Sequence, residues 1–325
     1  MNPSDDYIQL GKTNLRISPI GLGTWSWGDR LFWSYGTTHS YLDVEEAFDA
    51  SLEAGINFLD SAEIYGFGGS EKLLRRFLEK TNREVFVASK FFPFPWRLTT
   101  KSLIKGLKGS LNRLGLETLD LYMMHWPLPP IPVERWTKSI VRAYEQGLIK
   151  AIGVSNYDLA QMRRAQEVLD KYGLHLSASQ IHYSLLHHAP EKNGLIQACV
   201  EDEVTILAYS PLAQGLLTGK YAPGSPLPQG MMRLGNRAII VRIQPLVSLL
   251  RAIGADHGGK TPAQVAINWV IRKGTVPIVG AKNARQAKEN VASFGWTLSD
   301  DELQRLDNAS RGIQLSFPLA KISRA

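Results

Sequence analysis

Eight short β-branched segments alternate with eight longer helical patterns along nearly the whole chain, and this alternation restricts the possible folds more than any other feature of the sequence. The strand patterns fall at 17–22, 57–60, 85–89, 119–124, 150–154, 177–181, 204–209 and 276–279. The helical patterns fall at 44–54, 71–80, 101–114, 134–146, 159–172, 191–201, 262–272 and 285–293. Local signals agree with this division. Thr261 reads as an N-cap with Pro262 at the first helical position, and Gly55, Gly147, Gly173 and Gly274 sit just past helix ends. Strict alternation calls for a parallel sheet, since each helix returns the chain to the starting end of the next strand. In 325 residues, eight such units predict an α/β fold of the closed (β/α)8 TIM barrel kind in place of an open doubly wound sheet. A further helix is expected at 300–308, opened by a Ser-Asp-Asp-Glu capping box at Ser299. The whole chain, 1–325, reads as one domain with a short polar start (1–6) and a C-terminal tail from about 309 to 325.

Composition narrows the classes further. With 44% hydrophobic and 21% charged residues the chain can bury a large core, which excludes disordered and fibrous classes. The single cysteine, Cys199, allows no intrachain disulfide and no thiolate metal site, and suits a reducing compartment. The polar, acidic first six residues lack the features of a signal or transit peptide, and no run of 18 apolar residues occurs. The expected location is therefore the cytoplasm, or the stroma of an organelle for a mature form. Net charge is +7, but the basic residues come as scattered pairs such as Arg75-Arg76 and Arg163-Arg164. On helices such pairs are solvated faces, so neither nucleic acid nor membrane is an expected partner.

Two connections break the rhythm: an aromatic-rich stretch at 25–35 after the first strand, and a Pro- and Gly-loaded stretch at 211–245 after the seventh. Both follow strand C-termini, the end of a barrel where catalysis takes place. Gly21-Leu-Gly-Thr-Trp-Ser26 half-matches a dinucleotide fingerprint, but the third glycine is missing and aromatic residues follow where a helix should begin. It is not read as a Rossmann site.

Every strand of a parallel barrel points its C-terminus at the same mouth, so the residues ending the strands indicate the chemistry. Strand 2 ends in Asp60 with Tyr65 beyond it, strand 3 runs into Lys90, and strand 4 runs into His125. Taken singly, each has an ordinary structural use as a helix cap, a solvated charge or a core-edge imidazole. Together they make a proton-transfer device. A phenol with an ordinary pKa near 10 is brought toward neutral pH by an adjacent ammonium, here Lys90 held by Asp60, while His125 hydrogen-bonds a substrate oxygen. The later strands end in Ser155-Asn156, Gln180 and Tyr209-Ser210, an amide set beside an aromatic face that suits a flat carboxamide-bearing ring. Gly280 and Lys282, followed by a helix with Gln286, Glu289 and Asn290, form a candidate phosphate cradle. His182, His187 and His188 have no carboxylate or cysteine at metal-binding spacing, and no metal is expected.

With these residues in place, the sequence resembles the aldo-keto reductase family from about Ile8 to Asn308. The resemblance rests on Asn57-Phe-Leu-Asp-Ser-Ala-Glu-Ile-Tyr-Gly66, Leu121-Tyr-Met-Met-His-Trp126, Gly153-Val-Ser-Asn156 and Ile278-Val-Gly-Ala-Lys-Asn283. Gly23-Thr-Trp-Ser-Trp-Gly28 and Tyr209-Ser-Pro-Leu-Ala-Gln-Gly215 are similar to the branch found in cyanobacteria and plant chloroplasts. The resemblance implies a barrel that binds NADPH without a Rossmann domain and reduces aldehydes or ketones to alcohols. It implies Tyr65 as proton donor, Lys90 and Asp60 as its tuning pair, and His125 as the group that orients the carbonyl. Ser155, Asn156 and Gln180 would hold the nicotinamide carboxamide and Tyr209 would stack on its ring. Ser210, Leu212, Gly215 and Lys220 would follow the pyrophosphate, Lys282 would meet the 2′-phosphate beside Gly280, and Gln286, Glu289 and Asn290 would surround the adenosine.

Trp25, Trp27, Phe32, Trp33, Phe91, Trp96 and Trp126 lie in or next to mouth-facing loops. Trp25, Trp27, Trp33, Phe91 and Trp126 are the expected pocket wall, favouring an aromatic or apolar carbonyl substrate. A monomer is expected by analogy with the family. Two other readings compete: an NADPH-binding regulatory subunit with little turnover, as in the cytoplasmic β subunits of potassium channels, and a nucleotide-free isomerase or lyase built on Asp60, Lys90 and His125.

Overall fold

The structure is a computed structural model describing residues 7–224 and 236–313. The expected polar start, the middle of the connection after the seventh strand and most of the C-terminal tail lie outside the described residues. Eight parallel strands close into a barrel: β1 (Gly21–Gly23), β2 (Phe58–Asp60), β3 (Phe86–Phe91), β4 (Leu119–Met124), β5 (Ile149–Ser155), β6 (Leu176–His182), β7 (Thr205–Tyr209) and β8 (Val276–Gly280), with β8 pairing β1. The outer ring is formed by α1 (Tyr41–Glu53), α2 (Gly69–Leu78), α3 (Thr100–Leu114), α4 (Val133–Glu145), α5 (Leu159–Asp170), α6 (Leu195–Glu201), α7 (Pro262–Arg272) and α8 (Ala284–Val291). The (β/α)8 expectation therefore holds. Among the described residues no helix is long and apolar enough to cross a membrane.

The helix signals act as their chemistry dictates. Thr261 accepts from the Gln264 backbone N–H, and Ser299 and Glu302 complete the capping box that opens the helix Asp300–Ser310. Gly55, Gly147, Gly173 and Gly274 all have positive φ.

Three expectations shift. The apolar pattern at 17–22 is two elements, because Pro19 has no N–H to carry a ladder. Arg16–Ile17 pairs antiparallel with Ile8–Gln9, and only Gly21–Gly23 enters the barrel. The pattern at 191–201 divides into Ala189–Lys192 and α6 at Gly194, whose φ of 77° is left-handed. A helix not foreseen, Gln244–Asp256, follows the long connection and buries Leu246, Val247, Leu250 and Ile253. Their helical spacing lies just beyond the Pro- and Gly-rich run that reads as a loop.

Strand periodicity builds the barrel interior. Phe58, Ala88, Leu121, Met123, Ala151, Ala178, Leu207, Val276 and Ile278 cluster inside, with Leu10 and Ile17 of the N-terminal hairpin among them. Two residues further on, the same inward faces reach the mouth.

Above the barrel the loops after β1 and β2 meet backbone to backbone. Gly66 has a φ of 54°, and a Cβ there would lie 2.6 Å from the carbonyl oxygen of Gly28. Gly147 has a similar φ of 68° but nothing within 4 Å of a Cβ. Gly66→Ala should therefore cost about 1–3 kcal/mol more than Gly147→Ala, which bears left-handed strain alone. Denaturant midpoints of the two variants check this, and equal losses would refute the close approach.

Candidate active site

The inward face of the strands delivers Asp60, Lys90, His125, Ser155, Gln180 and Tyr209 to one level of the mouth. Lys90 is fully buried and its Nζ donates to Asp60 Oδ1 at 2.8 Å, Asp60 Oδ2 at 2.7 Å and the Ser61 carbonyl at 2.8 Å. The Tyr65 hydroxyl lies 3.4 Å from the same ammonium. Tyr65 begins the short turn Tyr65–Gly68 after β2, its ring stacked on Trp25 (centroids 5.8 Å, planes 25° apart) and edge-on to His125 at 5.8 Å. His125 Nδ1 is buried and finds no hydrogen-bond partner among the described residues.

These contacts set the protonation states. Burial, aided by the negative charge of Asp60 and then by Tyr209, pushes the Tyr65 phenol well above its ordinary value. Burial pulls the Lys90 ammonium down while Asp60 opposes it. Burial, then the charge of Lys90, holds His125 well below the ordinary imidazole range, so it is neutral at neutral pH. The phenol therefore departs from the expected direction: burial and the charge of Asp60 raise it, although the Lys90 ammonium lies 3.4 Å away. What results is a phenol that keeps its proton beside a neutral imidazole.

Tyr209 is held by a hydrogen bond from its hydroxyl to Asn156 Oδ1 at 2.8 Å and stacked on His182 at 5.2 Å, which in turn stacks on His187 at 4.2 Å. Asn156 Nδ2 donates to the His125 carbonyl and to Ser155 Oγ, both at 3.0 Å. Gln180 Nε2 donates to Asp60 Oδ1 at 2.7 Å, so this amide links the ring-holding set to the proton-transfer set.

A cleft of about 1940 Å³ runs from Tyr65 and His125 past Tyr209 to Lys282 and α8. Along the loop after β7, Ser210, Ala213 and Gln214 all adopt positive φ beside Gly215, a strained arrangement that clusters at ligand clamps. Gln214 Oε1 is buried there without a partner among the described residues. At the far end the Lys282 backbone N–H donates to Gln286 Oε1, Asn283 caps α8, and Asn290 Nδ2 donates to the Gly280 carbonyl. Lys220 and Lys282 lie close enough for like charge to bear on Lys282, whose ammonium burial already disfavours. A long anionic ligand with a flat ring at the Tyr65 end fits this arrangement.

The aldo/keto reductase family model matches residues 19–311. This chain belongs to the aldo-keto reductase family. Over 313 residues it is 39% identical to the chloroplastic pyridoxal reductase of Arabidopsis thaliana, covering 91% of this chain and 84% of that one. Over 322 residues it is 30% identical to the NADH-specific methylglyoxal reductase of Escherichia coli (strain K12), covering 90% and 94%. The crystal structure of an aldo-keto reductase from Klebsiella pneumoniae in complex with NADPH superposes with a TM-score of 0.73 at 26% identity, covering 93% and 94%.

In this aldo-keto reductase every residue expected to hold the cofactor lines the cleft, from Ser155 and Asn156 to Leu212, Gly215, Lys220, Glu289 and Asn290. Trp25, Phe32, Trp33 and Trp126 line it too, whereas two expected wall residues do not. Trp27 is fully buried under the loop, edge-on to Phe77, and its Nε1 donates to the Ala281 carbonyl at 2.8 Å. Phe91 packs on Trp136 in the outer layer, because Lys90 faces inward and the next residue of a strand must face out. Trp96 is 75% exposed and stacks on Phe94, away from the cleft. The residues missed are Phe92, edge-on to His125, and Gln214 and Arg285 along the cofactor-facing walls. Phe92 was within reach of the sequence, two positions after Lys90 on the same face.

Proposed function

We propose that this protein is an NADPH-dependent reductase of aldehydes or ketones, with Tyr65 as the proton donor. The observation that carries the reading is the Tyr65 hydroxyl, 3.4 Å from Lys90 with its ring edge-on to His125, in a cleft that Lys282 also lines. A bound nicotinamide would supply hydride to the carbonyl carbon, and the remaining work belongs to the protein. His125 and Tyr65 hydrogen-bond the carbonyl oxygen, and Tyr65 gives it a proton as negative charge develops there. Lys90, fixed by Asp60 and Ser61, stabilises the phenolate left behind. Asn156, Ser155 and Gln180 would hold the carboxamide, Tyr209 would support the ring from its His182-backed position, and the loop after β7 would hold the pyrophosphate.

Trp25, Phe32, Phe92 and Trp126 surround the reacting end and favour an aromatic or apolar carbonyl compound. The aromatic aldehyde in the name of the Arabidopsis relative agrees with that wall. The same reading takes the chain as one folding domain acting as a monomer, in the cytoplasm or, in line with the word chloroplastic in that relative's name, in an organelle.

The test is titration of the purified protein with NADPH and NADH, followed by addition of pyridoxal and a panel of aromatic and aliphatic aldehydes. NADPH binding with oxidation on aldehyde addition supports the reading. Binding without turnover would favour a regulatory subunit, and no binding would revive the nucleotide-free isomerase. Because a relative of 30% identity is named as NADH-specific, cofactor preference has to come from particular residues. Lys282→Ala is expected to weaken NADPH about 10–100-fold and NADH less than about threefold, since only NADPH offers the ammonium a phosphate. Equal losses in the two titrations would take Lys282 out of the 2′-phosphate site.

A further inference from the structure

Among the described residues Lys282 is a cation without an anion. Burial and the charge of Lys220 both disfavour its ammonium, and no carboxylate among the described residues pairs with it. What holds it is Trp33. The Lys282 Nζ lies 5.0 Å from the Trp33 ring centroid, over the indole face, and 3.4 Å from the Trp33 carbonyl oxygen. Trp33 is anchored in turn, edge-on to Trp25 at 5.4 Å and 88°, and Trp25 stacks on Tyr65. Thr38 Oγ1 also donates to the Trp33 carbonyl at 3.1 Å, fixing the loop where the lysine rests on it.

The choice of partner has a physical consequence. A carboxylate would fix Lys282 but neutralise it and repel an incoming phosphate. An indole face and a carbonyl oxygen fix it while leaving its full charge on offer. On the reading that Lys282 meets the 2′-phosphate, we propose that Trp33 is a positioning residue for cofactor choice, presenting the Lys282 ammonium to that phosphate. It acts through the lysine and is distinct in this role from the aromatic wall around the carbonyl.

The experiment is titration of NADPH, NADH and adenosine 2′,5′-bisphosphate against Trp33→Ala, Trp33→Phe, Lys282→Ala and the Trp33→Ala/Lys282→Ala double variant, by calorimetry and without substrate. Trp33→Ala should weaken NADPH and the bisphosphate about tenfold, in line with a partly desolvated cation–π contact, and NADH less than about twofold. Trp33→Phe, which keeps a ring face, should stay within about threefold of the parent for all three ligands. The double variant should bind NADPH within about twofold of Lys282→Ala alone, because the tryptophan has nothing left to position. Equal weakening of NADPH and NADH by Trp33→Ala would show mere loop damage and overturn the proposal. So would unchanged NADPH affinity in Trp33→Ala alongside a large loss in Lys282→Ala. If Lys282→Ala itself fails to separate the two cofactors, the 2′-phosphate reading falls first and the role of Trp33 with it.

Discussion

Tyr65→Phe should keep the fold and the cofactor and lose turnover by about 10²–10⁴-fold, the usual range for removing a general acid. The substitution deletes one oxygen and keeps the ring, so the stacking on Trp25 and the edge contact with His125 survive. The lost hydroxyl makes one long contact to Lys90, at 3.4 Å, which contributes little to stability. Burial and Asp60 hold the phenol protonated, so in the parent protein the proton to be delivered is present at neutral pH and above. Steady-state turnover with an aromatic aldehyde, measured beside an NADPH titration, separates the two effects. Parent-like turnover would remove Tyr65 as the acid, and loss of NADPH binding would mean the ring contacts had been disturbed.

Asp60→Ala should lower stability by about 3–5 kcal/mol, since it strands a fully buried ammonium. Lys90 would keep the Ser61 carbonyl but no carboxylate in contact, and Gln180 Nε2 would lose its acceptor. The companion double variant, Asp60→Leu with Lys90→Met, removes both charges and should recover most of the loss, because an apolar pair of similar volume needs no mutual neutralisation. It should recover no turnover, since the phenolate formed at Tyr65 would lack its stabilising cation. Urea midpoints by circular dichroism, with aldehyde reduction followed in parallel, read both outcomes. A single variant within about 1 kcal/mol of the parent would show that water reaches Lys90 and that the pair is not a sealed unit.

The proton-transfer residues were legible because strand periodicity and parallel topology act together. Once eight strands run the same way, whatever follows their inward faces shares one mouth, and Asp60, Lys90 and His125 needed only that rule. Two wall residues failed under the same rule applied loosely: Phe91 adjoins Lys90 in sequence and therefore faces the opposite side of the strand. Trp27 failed for another reason, since a turn sets its direction and its indole N–H donates to the carbonyl of Ala281, just past β8 and 254 residues away in sequence.

By itself the sequence determined the barrel, the family, the order of the strand-end residues and the two irregular connections, because these follow from local periodicity and from motifs carried within short segments. Only the tertiary structure decided which aromatic rings face the cleft, that burial and Asp60 together hold the Tyr65 phenol up, and that Lys282 rests on Trp33. Those outcomes depend on which groups lose water and which distant loops touch. Spacing along a chain does not record either.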